Sequence, residues 1–142
     1  MHSPFKEPHS PVHPEDTESL HWEKYGFNFG NWDEKKIWKI ELPPAEMATS
    51  EFEWHLDVPY WDSDDGQKFT ITPRDVLDKK LGATQHQKRV SEVDMDYPID
   101  IMFHEGKWFI LDGVHRLARA LQEEKRIMNV RIFPSDRLEE IR

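Results

Sequence analysis

The pattern that most constrains this fold lies in residues 98–133. Two apolar runs, Pro98 to Phe103 and Lys107 to Leu111, flank the short segment His104-Glu105-Gly106. Runs of this length and composition, joined by a few turn-forming residues, are typical of two strands of a β-hairpin. We therefore expect the chain to turn back on itself here and to form the centre of a sheet.

The hairpin pattern is followed at once by a helical one. Asp112-Gly113 breaks the second strand, and Val114 to Glu124 places apolar side chains on one face at helical spacing. Ile127 to Phe133 then has the composition of another strand, and Ser135 is a candidate cap for a last helix over 136–141. The order predicted is strand, strand, helix, strand.

Earlier segments give weaker signals. Ile37 to Leu42 predicts a strand ended by Pro43-Pro44. Ser50 and Glu53 fit a capping box, which predicts a short helix over 51–57, although alternating apolar residues leave a strand as the alternative.

The middle of the chain carries turn and helix-start signals. Asp62 to Gly66 predicts a turn. Thr72-Pro73-Arg74-Asp75 predicts a helix start, with the helix continuing through Leu81 and ending at Gly82. A further short helix is predicted over 86–93.

Together these elements predict an α+β fold, a single compact domain over 20–142 with a small mixed β-sheet flanked by short helices. Residues 1–19 are polar and Pro-rich, without the apolar core of a secretory signal, and predict a disordered tail. The spacing of the histidines in this tail fits no standard metal site. The aromatic segment from His21 to Trp32 is expected to pack across the domain as an irregular arm, with an exposed partner-binding patch as the alternative.

Composition excludes several classes of function. The chain of 142 residues has no cysteine, which excludes disulfides, thiolate catalysis and cysteine-based metal sites and fits a cytoplasmic protein. No apolar run is long enough to span a membrane. The net charge is −9, and residues 98–142 are balanced rather than basic, so tight binding to duplex DNA without help is disfavoured.

The run Asp112-Gly113-Val114-His115-Arg116 is the candidate site. A helix N-terminus offers unpaired N–H groups and partial positive charge, and a preceding glycine lets an anion come close. Arg116 adds a planar fork for phosphate oxygens, and His115 adds a donor that can exchange a proton. Asp112 could hold either side chain, or ligate Mg²⁺ on a bound phosphate. The same residues could equally form an ordinary turn and a solvated first turn of a helix.

The stretch KWFILDGVHRLARALQEEKRIMNVRIF, preceded by Tyr97-Pro98-Ile99-Asp100-Ile101, resembles the ParB/sulfiredoxin superfamily. The resemblance covers residues 96–133 well and 37–142 more loosely. It implies that Gly113, Val114, His115 and Arg116 would bind phosphates of a nucleotide such as ATP, ADP or CTP, and that Asp112 would support them.

Two departures from the family limit what the resemblance implies. Val114 stands where sulfiredoxins have their cysteine, which excludes peroxiredoxin repair by that chemistry. The partition proteins use a different arginine motif and continue into DNA-binding and dimerisation domains that this sequence lacks. The resemblance is therefore closest to small stand-alone members with an Asp-Gly-x-His-Arg turn, and the nucleotide base stays open.

Other charged residues are secondary candidates. Glu51 and Glu53 could supply a catalytic base, and Glu51 with His55 could form a base or metal pair in a helix, although a solvated face is favoured. Lys88-Arg89 and Arg119 could extend a basic rim, although ordinary surface charge is favoured.

The function expected is binding of a nucleotide or phosphorylated small molecule, with Mg²⁺, and catalysis of phosphoryl transfer or nucleotide hydrolysis by His115 and Arg116. The alternatives are a non-catalytic nucleotide- or protein-binding module and a ParB-like nuclease.

Overall fold

The computed structural model describes residues 32–142. The tail predicted over 1–19 and the arm predicted from His21 to Trp32, apart from Trp32 itself, lie outside the described residues.

Short helices alternate with four strands along this part of the chain. The α-helices are α1 (Glu34–Trp38), α2 (Pro73–Leu77), α3 (Thr84–Glu92) and α4 (Val114–Gln122). The strands are β1 (Pro44–Ala48), β2 (Ile99–His104), β3 (Lys107–Asp112) and β4 (Ile127–Ile132), and 3-10 helices span Thr49–Asp57 and Ser135–Ile141.

The four strands form one mixed sheet in the order β1-β4-β2-β3. β1 is antiparallel to β4, β4 is parallel to β2, and β2 is antiparallel to β3. The helix α4 connects β3 to β4 and buries Leu117, Ala118 and Ala120. The predicted α+β class with a small mixed sheet and short flanking helices is therefore confirmed.

The predicted hairpin, helix and strand of the C-terminal third are confirmed to within two residues at each end. Glu105 and Gly106 both have positive φ, 49° and 84°, as a two-residue hairpin turn with the twist of its strands requires. The last helix begins at Ser135 as a 3-10 helix, but Pro134 precedes it and no side chain caps it, so the predicted cap is wrong.

The strand predicted from Ile37 to Leu42 is wrong. The side chain of Asp33 accepts a hydrogen bond from the amide of Lys35 and starts α1, with Glu34 in its first turn, so the apolar Ile37 is buried from a helix instead. The first strand begins at Pro44, since β1 lies at the edge of the sheet, where a missing N–H is tolerated.

Two helix boundaries also differ from the sequence prediction. The segment 51–57 is helical, but as the 3-10 helix Thr49–Asp57 without a side-chain cap, so the capping box of Ser50 and Glu53 is wrong. The capping box of Thr72 and Asp75 is present, yet α2 ends at Leu77 and Leu81 is 93% exposed. Within this one-turn helix Pro73 and Val76 are the buried residues.

Arg131 of β4 ties α1 to the sheet. Its Nε lies 2.6 Å from the carboxylate of Asp100, and its Nη atoms donate to the carbonyl oxygens of Ile40 and Ile37 at 2.8 and 2.9 Å. A cation at a helix C-terminus also interacts favourably with the helix dipole. All three nitrogens are thus used, and α1 is held against the neighbouring strands.

No helix within residues 32–142 is long and apolar enough to cross a membrane.

We expect Arg131→Met to lower the unfolding free energy by about 3–5 kcal/mol, because it leaves the Asp100 carboxylate buried without its partner. Urea unfolding near neutral pH measures the loss. Burial already raises the pKa of Asp100, so acidification should reduce the difference from wild type as that carboxylate becomes protonated.

The matched control is Arg137→Met, which breaks an ion pair between exposed side chains and should change stability little. Adding Asp100→Asn to Arg131→Met should restore part of the loss. Equal effects of the two arginine substitutions would contradict a special role for Arg131.

Candidate functional site

A cleft of about 470 Å³ opens beside the start of α4. It contains Asp112 and Arg116 of the predicted site, together with residues from α1, β2 and β4. Its lining consists of Trp38, Tyr97, Pro98, Asp100, Asp112, Arg116 and Arg131.

A β-bulge places two carboxylates side by side in this cleft. Ile101 pairs with Ile110, but Asp100 pairs with Asp112, so Leu111 is the extra residue of β3. Residues directly opposite each other in a sheet project to the same face. The bulge therefore turns Asp112 toward Asp100, where an unbroken register would have placed Leu111.

The two carboxylates are buried, with 4% and 7% of their side-chain surface exposed. Burial raises the pKa of Asp100, and the neighbouring charge of Asp112 raises it further, while Arg131 opposes the shift. Each carboxylate has an arginine beside it, so the four charges balance.

Arg116 differs from Arg131 in how much of its hydrogen-bonding capacity is used. Its Nη2 makes only long contacts, 3.3 Å to the carbonyl oxygen of Pro98 and 3.4 Å to Asp112. Its Nε is buried, and no acceptor among residues 32–142 lies within hydrogen-bonding range of it. Arg116 therefore holds a buried donor without a partner in the wall of the cleft.

Asp112 holds the walls of the cleft together rather than capping α4. Its Oδ2 accepts a hydrogen bond of 2.8 Å from the indole Nε1 of Trp38 and lies 3.4 Å from Arg116. The first turn of α4 follows Gly113 without any side-chain cap.

The backbone at Gly113 is closely packed against neighbouring side chains. Its φ of 116° lies in the left-handed region, and a Cβ there would come within 2.6 Å of Cγ2 of Ile99 and 3.2 Å of Nη2 of Arg116. The glycine thus lets β2 and the guanidinium approach the backbone closely. The neighbouring Val114 is 4% exposed and belongs to the core.

The side chain of His115 lies in a different cluster from Arg116. Its ring stacks on Trp61 and its Nε2 lies 3.2 Å from Nδ1 of His86. The structure therefore does not bring His115 into the cleft that Asp112 and Arg116 share.

The acidic candidates of the first 3-10 helix are also separate from the cleft. Glu51 and Glu53 are exposed and are not part of its lining. His55 is fully buried, with Nε2 donating to the carbonyl oxygen of Trp108 at 2.8 Å and Nδ1 bonded to the hydroxyl of Tyr60. The predicted pair of Glu51 and His55 is therefore wrong, since the histidine is a core residue.

Arg119, one of the candidates for a basic rim, makes its contacts within the protein. Arg119 donates to the carbonyl oxygens of Val90 and Ser91 and pairs with Glu123, so it joins α4 to α3.

Within residues 32–142, no group of three or more histidine, aspartate or glutamate side chains is arranged to hold a metal ion. A bound Mg²⁺ would therefore take most of its oxygen ligands from water and phosphate.

Five residues of the cleft were missed by sequence reasoning: Trp38, Tyr97, Pro98, Asp100 and Arg131. A signal existed for two of them. Asp100 in PIDIMF and Arg131 in IMNVRIF are lone charged residues inside apolar strands, and such residues are buried only when paired.

We expect Gly113→Ala to lower the unfolding free energy by about 2–4 kcal/mol, the sum of a left-handed backbone and a clash with Ile99. Gly66→Ala is the control, because its φ is 91° and nothing lies within 4 Å of the added Cβ. The difference between the two variants in urea unfolding measures the clash, and equal losses would contradict it.

We expect stability to fall on acidification because of His55, whose burial lowers its pKa to about 3. The unfolded chain binds a proton near the ordinary histidine pKa, so the unfolding free energy drops as pH falls from about 6.5 toward 3, by about 1.4 kcal/mol per pH unit for this group. His55→Gln should remove about that slope from the pH dependence measured by urea unfolding. An unchanged slope would contradict the assignment.

Comparisons with protein-family models, with curated proteins and with solved structures gave no significant match. The ParB/sulfiredoxin resemblance therefore stays a prediction that rests on the strand, turn, helix and strand of residues 96–133.

Proposed function

We propose that this protein binds a phosphate-bearing ligand, a nucleotide or a phosphorylated small molecule, in the cleft beside α4, with Arg116 as its anchor. The observation that carries the proposal is the buried Nε of Arg116, which has no acceptor among the described residues. An unsatisfied buried donor is unfavourable, and a planar guanidinium matches phosphate oxygens in a bidentate way.

The size and walls of the cleft support a ligand with a flat ring. A volume of about 470 Å³ is in the range of small-molecule sites. Trp38 and Tyr97 are 49% and 64% exposed and line the same cleft. Aromatic side chains offer faces on which a nucleobase can stack.

The charge of the cleft favours a small anion over a nucleic acid. Asp100 and Asp112 offset the two arginines, and the chain as a whole carries a net charge of −9. A long phosphate backbone needs a net basic surface, whereas one phosphate group needs a single well-placed fork. Mg²⁺ bound to the ligand would add positive charge next to the two carboxylates.

Binding, rather than turnover, is the function that the arrangement supports best. The cleft lining includes neither His115 nor Glu51 or Glu53, which are the proposed acid and base candidates. We therefore favour the non-catalytic nucleotide-binding module among the hypotheses drawn from the sequence.

The test is a thermal-shift screen of ATP, ADP, CTP, GTP and inorganic phosphate, each with and without Mg²⁺. A ligand at about 100 times its dissociation constant should add about 2.7 kcal/mol of apparent stability. Arg116→Gln should abolish the shift, whereas Arg137→Gln, which removes an exposed arginine elsewhere, should retain it. Mg²⁺ alone should give no shift.

Absence of a shift with any of these ligands would overturn the proposal and direct attention to nucleic acid or a protein partner. Release of phosphate or diphosphate from a bound nucleotide, lost in Arg116→Gln, would establish an enzyme instead of a binding module.

A further inference from the structure

Two histidines and a tryptophan form a buried cluster behind the first turn of α4. The indole of Trp61 stacks on His115 with ring centroids 4.3 Å apart and on His86 with centroids 4.8 Å apart, at interplanar angles of 13° and 11°. The two imidazoles lie side by side, with Nδ1 of His86 3.2 Å from Nε2 of His115. We refer to Trp61, His86 and His115 as the histidine latch.

The latch is held in place from the side of α3. Trp61 and Ile71 exchange backbone hydrogen bonds of 3.1 and 2.9 Å, which hold the backbone at Trp61. The carboxylate of Asp64 accepts from the amides of Thr84 and Gln85, both at 3.0 Å, and thereby caps α3 from outside the helix. The start of α3, which carries His86, is therefore held in place.

On the other side, the latch joins the part of α4 that carries Arg116. His115 is the residue directly before Arg116, and the first turn begins at a glycine without a side-chain cap. Without a cap, side-chain contacts such as those of His115 determine how this turn is oriented. A shift of His115 would therefore move the guanidinium relative to the cleft.

We propose that His86 is a positioning residue: its hydrogen bond to His115 on the face of Trp61 fixes the first turn of α4 and thereby the place of Arg116 in the cleft. This inference rests on the proposed function, since it concerns how the anchor of that same site is held.

The protonation state of His86 suits this hydrogen bond. A hydrogen bond between two imidazoles needs one N–H and one lone pair. Burial and the charge of Arg89 lower the pKa of His86 to about 4, while Asp62 and Asp64 on the facing loop oppose the shift. His86 is therefore uncharged near neutral pH, where its ring carries one N–H and one lone pair.

Two substitutions separate positioning from packing. His86→Asn places an amide where Nδ1 stands, and this amide can donate or accept by rotating, so it can keep the hydrogen bond to His115. His86→Phe keeps an aromatic ring against Trp61 but cannot form the hydrogen bond. His104→Phe, at the tip of the hairpin, is the control for loss of a histidine elsewhere.

The probe is sulfate near neutral pH, and calorimetry measures its affinity. We expect His86→Phe to weaken sulfate binding by about tenfold, as a displaced anchor would, and His86→Asn to bind like wild type. If His86→Phe does not fold, His86→Leu, which also cannot form the hydrogen bond, replaces it with the same expected loss.

Amide hydrogen exchange without ligand gives a second readout. His86→Phe should speed exchange at the amide of Leu117, whose hydrogen bond to the carbonyl oxygen of Gly113 closes the first turn of α4, relative to His86→Asn and His104→Phe, without a change in β2 and β3.

The possible failures are distinguishable. Wild type that does not bind sulfate at all would overturn the proposed function together with this inference. Sulfate binding that depends on Arg116 but is equally tight in His86→Phe would overturn the inference about the histidine latch alone.

Discussion

The ion pair of Arg131 and Asp100 is the interaction on which the rest of the site depends. It joins β4 to β2 at 2.6 Å, and the same guanidinium binds two carbonyl oxygens at the end of α1. Trp38 at the end of α1 can therefore reach Asp112 and form a wall of the cleft. A helix of five residues is not stable by itself, so α1 depends on this clamp together with the burial of Ile37 and the hydrogen bond from the amide of Asp33 to Ile141.

The clamp also explains why two arginines in one cleft have different roles. Each guanidinium nitrogen of Arg131 already donates to an acceptor within the protein. Arg131 therefore compensates the negative charge of the buried Asp100 and has little hydrogen-bonding capacity left for a ligand. Arg116 faces Asp112 only through a long contact and retains a buried Nε without a partner among residues 32–142. An anion that reaches the cleft would therefore bind to Arg116, while Arg131 keeps the second carboxylate from repelling it.

The spacing of apolar residues was enough to predict the hairpin, α4 and β4. In these elements the residues that the spacing places on one face are also the ones that the fold buries. The same reasoning failed at Ile37, because a single apolar residue can be buried from a helix as well as from a strand. The cap that Asp33 provides favours the helix. The cleft required information that no local pattern contains. The bulge at Leu111 depends on strand pairing, and the pairing of Arg131 with Asp100 spans 31 residues.

Helix geometry explains why His115 and Arg116, neighbours in the predicted site, lie in two different clusters. Consecutive residues of an α-helix point about 100° apart, so His115 and Arg116 at the first turn of α4 cannot face one small cleft together. Sequence reasoning joined them because they are neighbours in the chain and both suit phosphate. In the folded chain Arg116 lines the cleft, whereas His115 packs against Trp61 and lies within hydrogen-bonding distance of His86. A His-Arg pair at a helix start thus joins the proposed ligand anchor to a buried contact in the core, so the packing of His115 bears on where Arg116 stands.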